Sequence, residues 1–288
     1  MPIVPVNKIV TVSPTLSEQL MQLHIELEGN NSIGRNIKFR GPVNLGPEVM
    51  ALRLQIDSYS YIARSSRAST STIGSYCCIA HNVEMGMGRH LFHHPSISQS
   101  FFKNRFFMRF SGEIEDRDPD LDALGGDVNE VRIGNDVWIG AHVKFPKDVT
   151  VGHGAVIGTG TIITKDVPPY AVVVSGGVHG SQRIVKYRFS DEIISDLLEL
   201  NWWDYDVPRM IASGIKVPRT RVEDFISFFK NEDREKLIPL SAPWRLLCIP
   251  DPQTAYIFPC TPDTYMDFNC VEVNDKGQAL KAMYRNDL

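Results

Sequence analysis

The sequence predicts a mainly β protein built around a triangular parallel β-helix, and three observations predict this fold. A six-residue period runs almost unbroken from Ile133, the same period recurs in two earlier blocks, and neither a helix nor an ordinary strand produces such a period. Apolar residues recur three or four apart on a helix and two apart on a half-buried strand. A period of six suits short strands joined by corners, so that three hexads complete one triangular turn.

Each hexad of the long run has two positions that we expect to face inward. The first position is large and apolar, and the fifth is small or β-branched, which suits a tight corner. The first positions are Ile133, Ile139, Phe145, Val151, Ile157 and Ile163, and the fifth positions are Val137, Val143, Val149, Ala155, Thr161 and Val167. Stacking these residues along the axis would bury a core that no single turn can bury alone.

Two earlier blocks keep the same register. The first block has Ile33, Phe39 and Leu45 at first positions and Ile37, Val43 and Val49 at fifth positions. The second block has Ile73 and Ile79 at first positions and Cys77 and Val83 at fifth positions. Between the blocks, residues 54–67 are irregular but still resemble strands, with Ile56 and Ile62 six apart.

The remaining segments predict a division of the chain into four parts. We expect an N-terminal helical segment at 1–31, the β-helix at 32–180, a capping helix within 181–206 and a small α+β appendage at 207–288. The helices are predicted at 14–29 with a capping box of Thr15 and Glu18, at 190–201 with Ser190 as the cap, and near 220–229 with a box of Thr220 and Glu223. A hairpin turn is predicted at 274–277.

Composition excludes several classes of protein. Hydrophobic residues make up 43% of the 288 residues, which is enough to form a sizeable core. The formal net charge is −4, and no run of Lys and Arg indicates a basic face for nucleic acid. No apolar run reaches the roughly 18 residues that a membrane span needs, and the start does not resemble a signal peptide. Five cysteines without a CxxC pair favour reduced thiols and a cytoplasmic location.

The period breaks between Met85 and Ile133, and this break is the strongest functional signal. An excursion at 86–131 is too long for a casual connection, and long loops in compact domains are usually functional. It carries His90, His93 and His94 together with several phenylalanines. Histidine suits the removal of a hydroxyl proton because its pKa lies near neutrality. His90, at the root of the loop, is the best candidate for a general base.

Three stretches of the chain resemble the hexapeptide-repeat acyltransferases, in particular the branch of xenobiotic acetyltransferases and bacterial polysaccharide O-acetyltransferases. The stretches are the coil at 73–80, the glycine–x–histidine segment at 88–90 that continues to Phe101 and Phe102, and the run at 133–140 followed by 163–171. The tail at 188–203, with Trp202 and Trp203, is similar to the helix after the coil in this branch. The resemblance covers roughly residues 30–206.

The resemblance implies a left-handed β-helix, a homotrimer with active sites between subunits, and acetyl-CoA as the acyl donor without a metal. Carried over by residue, His90 is the general base and Trp138 lies near the thioester. Backbone amides near Ala141 and Thr159 would hold the pantetheine arm, and Lys165 and Arg183 would meet the phosphates; the complete donor set is Gly140, Ala141, Thr159, Gly160, Lys165 and Arg183. The turn at 175–180 lacks the family's proline, which places the nucleotide contacts in question.

The predicted function is O-acetylation of a sugar or polysaccharide hydroxyl by direct transfer. An antibiotic acceptor is the alternative, and a sugar amine is a third acceptor. The appendage at 207–288 favours a carbohydrate acceptor, because drug acetyltransferases of this branch are usually shorter. Two rivals come from other classes. The same coil serves a carbonic anhydrase type with three zinc-binding histidines, for which His81 lies on a hexad turn, and a catalytically inactive scaffold is the other.

Overall fold

A computed structural model gives the fold of the chain. It describes residues 3–5, 9–87, 95–98, 101, 110, 112, 130–146, 148–176, 180, 182–231, 236–263, 268–273 and 279–284. The predicted parallel β-helix is present, and its three flat sides are called the first, second and third faces in the order in which the chain meets them.

Seven parallel strands form the first face of the prism. An antiparallel strand, β17 (Gln182–Tyr187), pairs with the last of them and covers that end of the sheet. The parallel strands are β3 (Ile25–Leu27), β5 (Val43–Leu45), β7 (Ser60–Ile62), β9 (Cys78–Ile79), β12 (Trp138–Ile139), β15 (Val156–Ile157) and β16 (Ala171–Ser175).

The second and third faces share long strands in the early turns and separate later. Three strands run across both faces: β4 (Ser32–Phe39), β6 (Met50–Ile56) and β8 (Arg67–Ile73). Beyond them, β10 (Glu84–Met85) and β13 (Lys144–Phe145) continue the second face, whereas β11 (Val131–Ile133) and β14 (Val149–Val151) continue the third. The excursion predicted at 86–131 therefore leaves the prism at the corner between these two faces.

The predicted inward positions form the core. Every first-position and fifth-position residue named from the sequence is at most 5% exposed. Side chains of equivalent residues lie above one another because parallel neighbours are in register, as in the pairs Ile139 with Ile79 and Ile139 with Ile157. The period of six is thus confirmed as the source of the stacked core.

The irregular stretch at 54–67 has a simple geometric cause. A turn takes 18 residues from Val131 to Val149 but only 17 from Met50 to Arg67, because the corner between the second and third faces is one residue shorter in β6 and β8 than in β4. Ala51 and Ala68 are therefore first-position residues that lie five, not six, before Ile56 and Ile73. A search for a strict six misses them.

Buried serines connect successive turns at two corners of the prism. The Ser60 hydroxyl accepts a hydrogen bond from the amide of Cys77 at 2.9 Å and donates one to the carbonyl of Gly74 at 2.6 Å. Ser66 bridges in the same way, accepting from Val83 at 3.0 Å and donating to Ala80 at 3.2 Å. These hydroxyls satisfy backbone groups that would otherwise be buried without partners.

The N-terminal end of the prism is covered by strands from both ends of the chain. The hairpin of β18 (Arg245–Asp251) and β19 (Thr254–Pro259) pairs antiparallel with β4, and β2 (Val10–Thr11) pairs with the start of β4. Leu246, Leu247, Cys248 and Ile249 are buried there. An exposed edge strand invites association with other chains, so this cover removes a liability.

A separate small antiparallel sheet joins the two chain ends. It contains β1 (Ile3–Pro5), β20 (Phe268–Val273) and β21 (Ala279–Tyr284), with β20 in the middle. The hairpin turn predicted at 274–277 lies outside the described residues, although the strands that flank it are paired antiparallel.

The first helix is shorter than predicted. Helix α1 covers Pro14–Met21, and its cap is Ser13, which accepts from the Leu16 amide at 3.2 Å, so the predicted capping box does not start it. The chain then passes through His24 in the left-handed region and enters β3. Pairing of β3 with β5 buries Ile25 and Leu27, and this tertiary gain outweighs extension of the helix.

Three further helices follow the prism. Helix α2 (Asp191–Leu200) begins after Ser190 as predicted, whereas α3 (Val207–Ala212) was not predicted and α4 (Val222–Asn231) begins two residues later than expected. A single 3-10 turn, Trp202–Asp204, links α2 to α3. None of the helices among the described residues is long and apolar enough to cross a membrane.

Aromatic residues at the corner between the third and first faces hold these helices in place. This third corner contains Tyr59, Tyr76, Asp136, Gly154 and Tyr170, one from each of five successive turns and all in the left-handed region. The Tyr59 hydroxyl donates to Asp206 at 2.5 Å, and the Tyr76 hydroxyl donates to the Tyr205 carbonyl at 2.6 Å. The segment before α3 is therefore attached to the prism by polar as well as apolar contacts.

We predict that Ser60→Ala lowers the free energy of unfolding by about 1–3 kcal/mol, because it leaves the Cys77 amide and the Gly74 carbonyl without partners. Equilibrium denaturation measures the change. Ser71→Ala is the matched control, since the Ser71 hydroxyl is equally buried but has no partner among the described residues. Equal losses in the two variants would contradict the bridging role of Ser60.

Candidate active site

The residues predicted to hold the pantetheine arm come together at one corner. Between the first and second faces, the amide of Gly160 donates to the carbonyl of Ala141 at 2.8 Å, which places the sixth turn directly on the fifth. Gly140 is required here, because an added Cβ would lie 2.6 Å from the Thr159 amide nitrogen. Within the described part of the chain, the amides of Ala141 and Thr159 donate to no acceptor. This first corner thus offers two donors to a ligand.

Trp138 lies beside this corner on an exposed apolar column. Its side chain points outward from the first face, between Cys78 on the preceding turn and Val156 on the following one. The residue is 55% exposed, and Tyr61, one turn before Cys78, is 41% exposed. An exposed apolar column on an otherwise regular face marks a binding or association surface. Tyr61 and Cys78 were missed from the sequence, although their alignment with Trp138 follows from the register.

Lys165 and Arg183 are brought together at the last turn. Gln182 accepts from the amide of Lys165 at 2.9 Å and donates to its carbonyl at 2.9 Å, and Arg183 is the next residue. Both side chains belong to exposed residues. Lys165 lies across the second face from Thr159, so the predicted donor residues extend from the first corner over the second face. The unusual turn at 175–180 is described only at its ends, and 177–179 lie outside the described residues.

The predicted base lies outside the described residues, as do His93, His94 and most of the excursion. Its root is described. The chain leaves β10 after Met85 and returns to β11 at Val131, at the corner between the second and third faces. His90 is therefore five residues from a rigid, buried anchor on the fourth turn, one turn before the turn that carries Trp138 and Ala141.

Two exposed histidines at the first corner were not predicted as a pair. The rings of His81 and His142 lie edge to face with centroids 5.4 Å apart, and the His142 amide donates to the His81 carbonyl at 3.1 Å. No cluster of three or more His, Cys, Asp or Glu suited to a metal ion occurs within the described ranges. The pair lies next to Ala141, at the corner where the donor amides are predicted.

His153 is unsuited to act as a base. Its Nδ1 accepts the Asn135 amide at 2.9 Å, and its ring is stacked on Trp203 with centroids 4.5 Å apart. Burial lowers the pKa of this imidazole below its ordinary value, and the nearby carboxylate of Asp204 partly opposes that shift. The neutral ring is a structural acceptor that joins two turns and supports the Trp203 contact.

The Cys77 thiol is equally unsuited to nucleophilic chemistry. Cys77 is fully buried, and burial raises its pKa to about 12; the four cysteines with described side chains are free. A buried thiol with a raised pKa is inert. The described residues thus form a regular parallel β-helix prism with two unused corner amides beside an exposed tryptophan.

Comparisons with known proteins agree with this fold. The family model described as "Bacterial transferase hexapeptide (six repeats)" matches residues 130–165. A chloramphenicol acetyltransferase of Agrobacterium fabrum is 36% identical over 176 residues, which cover 61% of this chain and 79% of the relative. A second one, of Klebsiella aerogenes, is 38% identical over 141 residues, covering 49% of this chain and 62% of the relative.

A galactoside O-acetyltransferase of Escherichia coli K12 is 37% identical over 109 residues, which cover 38% of this chain and 41% of the relative. The chain therefore spans less than two thirds of some of these relatives. The match to the Agrobacterium fabrum protein covers most of that relative, and the chain belongs to the hexapeptide-repeat acyltransferase family, in the branch that includes the xenobiotic acetyltransferases.

We predict that the stability of the wild-type protein falls as the pH drops below about 6.5, the ordinary pKa of histidine, more steeply than that of His153→Gln. A pKa depressed by folding means that the unfolded chain binds the proton first, so stability is lost as the pH falls toward the folded pKa. Glutamine keeps an acceptor for the Asn135 amide but does not titrate. Parallel pH dependences in denaturation experiments would contradict this interpretation.

Proposed function

We propose that the protein is an acetyl-CoA-dependent O-acetyltransferase that transfers the acetyl group directly to a sugar or polysaccharide hydroxyl, with His90 as general base. Membership of the hexapeptide-repeat acyltransferase family, through relatives that are named acetyltransferases, is the observation that carries the reaction type. The local geometry supports it, because an exposed tryptophan lies beside two corner amides that have no other acceptor among the described residues.

The residues of the chain divide the chemistry between them. His90 takes the proton of the acceptor hydroxyl as its oxygen forms a bond to the thioester carbonyl carbon. The carbon–sulfur bond then breaks, and His90 returns the proton to the departing sulfur. A backbone amide or the Trp138 indole N–H stabilises the negative oxygen of the tetrahedral intermediate. Direct transfer needs no covalent enzyme intermediate, which agrees with the inert, buried Cys77.

Donor binding rests on the first corner and the last turn. We infer that the amides of Ala141 and Thr159 bind the pantetheine arm. Gly140 allows the two turns to approach closely at this corner, and Gly160 leaves open space beside it. Lys165 and Arg183 attract the phosphates. An added Cβ on Gly160 would meet no atom within 4 Å, so the space beside it is open for a ligand. The reaction needs no metal in this scheme.

Association into a homotrimer and a cytoplasmic location belong to the same proposal. The apolar column next to the donor corner, with Tyr61 and Trp138 exposed and Cys78, Val156 and Val172 partly exposed, favours burial against a neighbouring copy. A site between copies would let the loop of one reach the corner of the next. Acetyl-CoA as donor and free thiols favour the cytoplasm.

The acceptor has a second candidate. The galactoside O-acetyltransferase relative supports a sugar hydroxyl, whereas the chloramphenicol acetyltransferases match more of this chain and favour a xenobiotic acceptor. An amino sugar remains a third acceptor and would change the product from an ester to an amide. The appendage at 207–288 argues for the carbohydrate, because the drug-modifying members are usually shorter.

We predict that His90→Ala lowers kcat by at least about a hundredfold, because loss of a general base removes that much catalysis. Steady-state kinetics with a thiol reagent measures turnover, and calorimetry with coenzyme A measures donor binding, which should persist. The matched control is His93→Ala, in the same loop, with turnover within a few-fold of wild type. Unchanged turnover in His90→Ala would remove the proposed mechanism.

We also expect an acceptor panel to separate the candidates. Galactosides, a bacterial oligosaccharide, chloramphenicol and an amino sugar are each supplied with acetyl-CoA, and kcat/KM is compared by release of the free thiol. A preference for the oligosaccharide or galactoside by tenfold or more supports the proposal. A tenfold preference for chloramphenicol would replace the sugar acceptor with the xenobiotic one, and mass spectrometry of the product distinguishes ester from amide.

A further inference from the structure

Two exposed histidines meet at the first corner, where the fourth turn of the prism lies against the fifth. His81 follows β9 on the fourth turn, and His142 follows β12 on the fifth. The His142 amide donates to the His81 carbonyl at 3.1 Å, so the backbones of the two residues are held side by side. The whole excursion separates them in the sequence, and only the stacking of the turns brings their rings together.

The separation of the two rings suits a shared metal ion. A zinc ion lies about 2.0–2.1 Å from the imidazole nitrogen that binds it, and the ring centroid is about 1.1 Å further along the same line. Two imidazoles that bind one ion at a tetrahedral angle therefore have centroids about 5 Å apart. The ring centroids of His81 and His142 are 5.4 Å apart.

The orientation of the rings is also compatible with one ion. Their planes meet at 83°, and coordination restrains the direction of each nitrogen but leaves the ring free to turn about the metal–nitrogen bond. Both residues are exposed, and exposed side chains change rotamer within picoseconds to nanoseconds. Directing one nitrogen of each ring to a common point therefore takes side-chain rotation alone.

The next turn leaves room for the ion and its other ligands. Gly160 takes the position of His142 on the sixth turn, because its amide donates to the Ala141 carbonyl as the His142 amide donates to that of His81. An added Cβ on Gly160 would meet no atom within 4 Å. Water molecules can therefore complete the coordination of an ion held by the two imidazoles.

The surrounding charges indicate which ions would bind. Glu84, three residues after His81, is paired with Lys144 at 2.9 Å on the second face, and Arg64 takes the position of His81 on the preceding turn. Within the described ranges, no third His, Cys, Asp or Glu completes a cluster here. Imidazole nitrogen without a carboxylate suits Zn²⁺, Ni²⁺ and Cu²⁺, whereas Mg²⁺ and Ca²⁺ prefer oxygen ligands.

We propose that His81 and His142 bind one divalent transition-metal ion, with water in the remaining coordination positions. The ion links the fourth turn to the fifth, the two turns that are joined along the chain only by the long excursion. It takes no part in the proposed acetyl transfer, so the proposal stands or falls independently of the function proposed above.

Calorimetric titration of the full-length protein with Zn²⁺, without acetyl-CoA, tests the proposal. His90, His93 and His94 are first replaced by alanine, because these neighbouring histidines of the excursion can bind the same ions. We expect one equivalent of Zn²⁺ to bind. Adding His142→Asn or His81→Ala should weaken binding by at least about tenfold, since replacing even an outer-shell partner of a metal site costs that much. Electron paramagnetic resonance with Cu²⁺ should show two imidazole nitrogens before either change and one after it.

His24→Asn is the matched control. His24 and His142 both lie in the left-handed region, with φ of 66° and 60°, and asparagine tolerates that conformation. His24→Asn should bind Zn²⁺ as the parent does, and Mg²⁺ should not bind to either. Absence of Zn²⁺ binding to the parent at millimolar concentration overturns the proposal. Unchanged affinity in both His142→Asn and His81→Ala, or a Cu²⁺ spectrum with fewer than two nitrogens in the parent, also overturns it.

Discussion

Register between successive turns is the constraint on which the rest of the structure depends. Each turn hydrogen-bonds to the next through its backbone, and the same ladder stacks the inward residues into one continuous core. A residue added or removed in one turn shifts every outward group above it relative to those below. Buried serines such as Ser60 and Ser66 add side-chain hydrogen bonds between successive turns at two corners. The rigidity of the proposed site follows from this lattice.

Functional groups on the prism are distributed by corner. The first corner carries Ala141, Thr159 and the paired histidines His81 and His142, and Trp138 adjoins it on the first face. The second corner is the root of the excursion with His90. The third corner is a column of residues with left-handed backbone conformation, three of them tyrosines, and it attaches the helices that follow the prism. The three corners of the prism thus separate the proposed donor site, the root of the excursion and the attached helices, since each corner has its own neighbours.

Much of the prism could be predicted from the sequence, because the six-residue period directly indicates which residues face the core. Every inward residue assigned from the hexads is buried, and the helix after Ser190 begins as predicted. The features that were missed depend on contacts distant in sequence. Pairing of β3 with Val43–Leu45 ends α1 early, and the β18–β19 hairpin covers β4 from more than 200 residues away in the sequence. The local sequence pattern does not indicate contacts between segments that are distant in the chain.

Amide hydrogen exchange with and without coenzyme A tests the central claim most directly, because it reports which corner of the prism meets the donor. Peptides that contain Ala141 and Thr159 should be protected by coenzyme A, whereas peptides that contain Arg64 and Ser65, at the same corner of an earlier turn, should exchange unchanged. Protection confined to another corner, or none while calorimetry shows saturation, would contradict the account of the donor site.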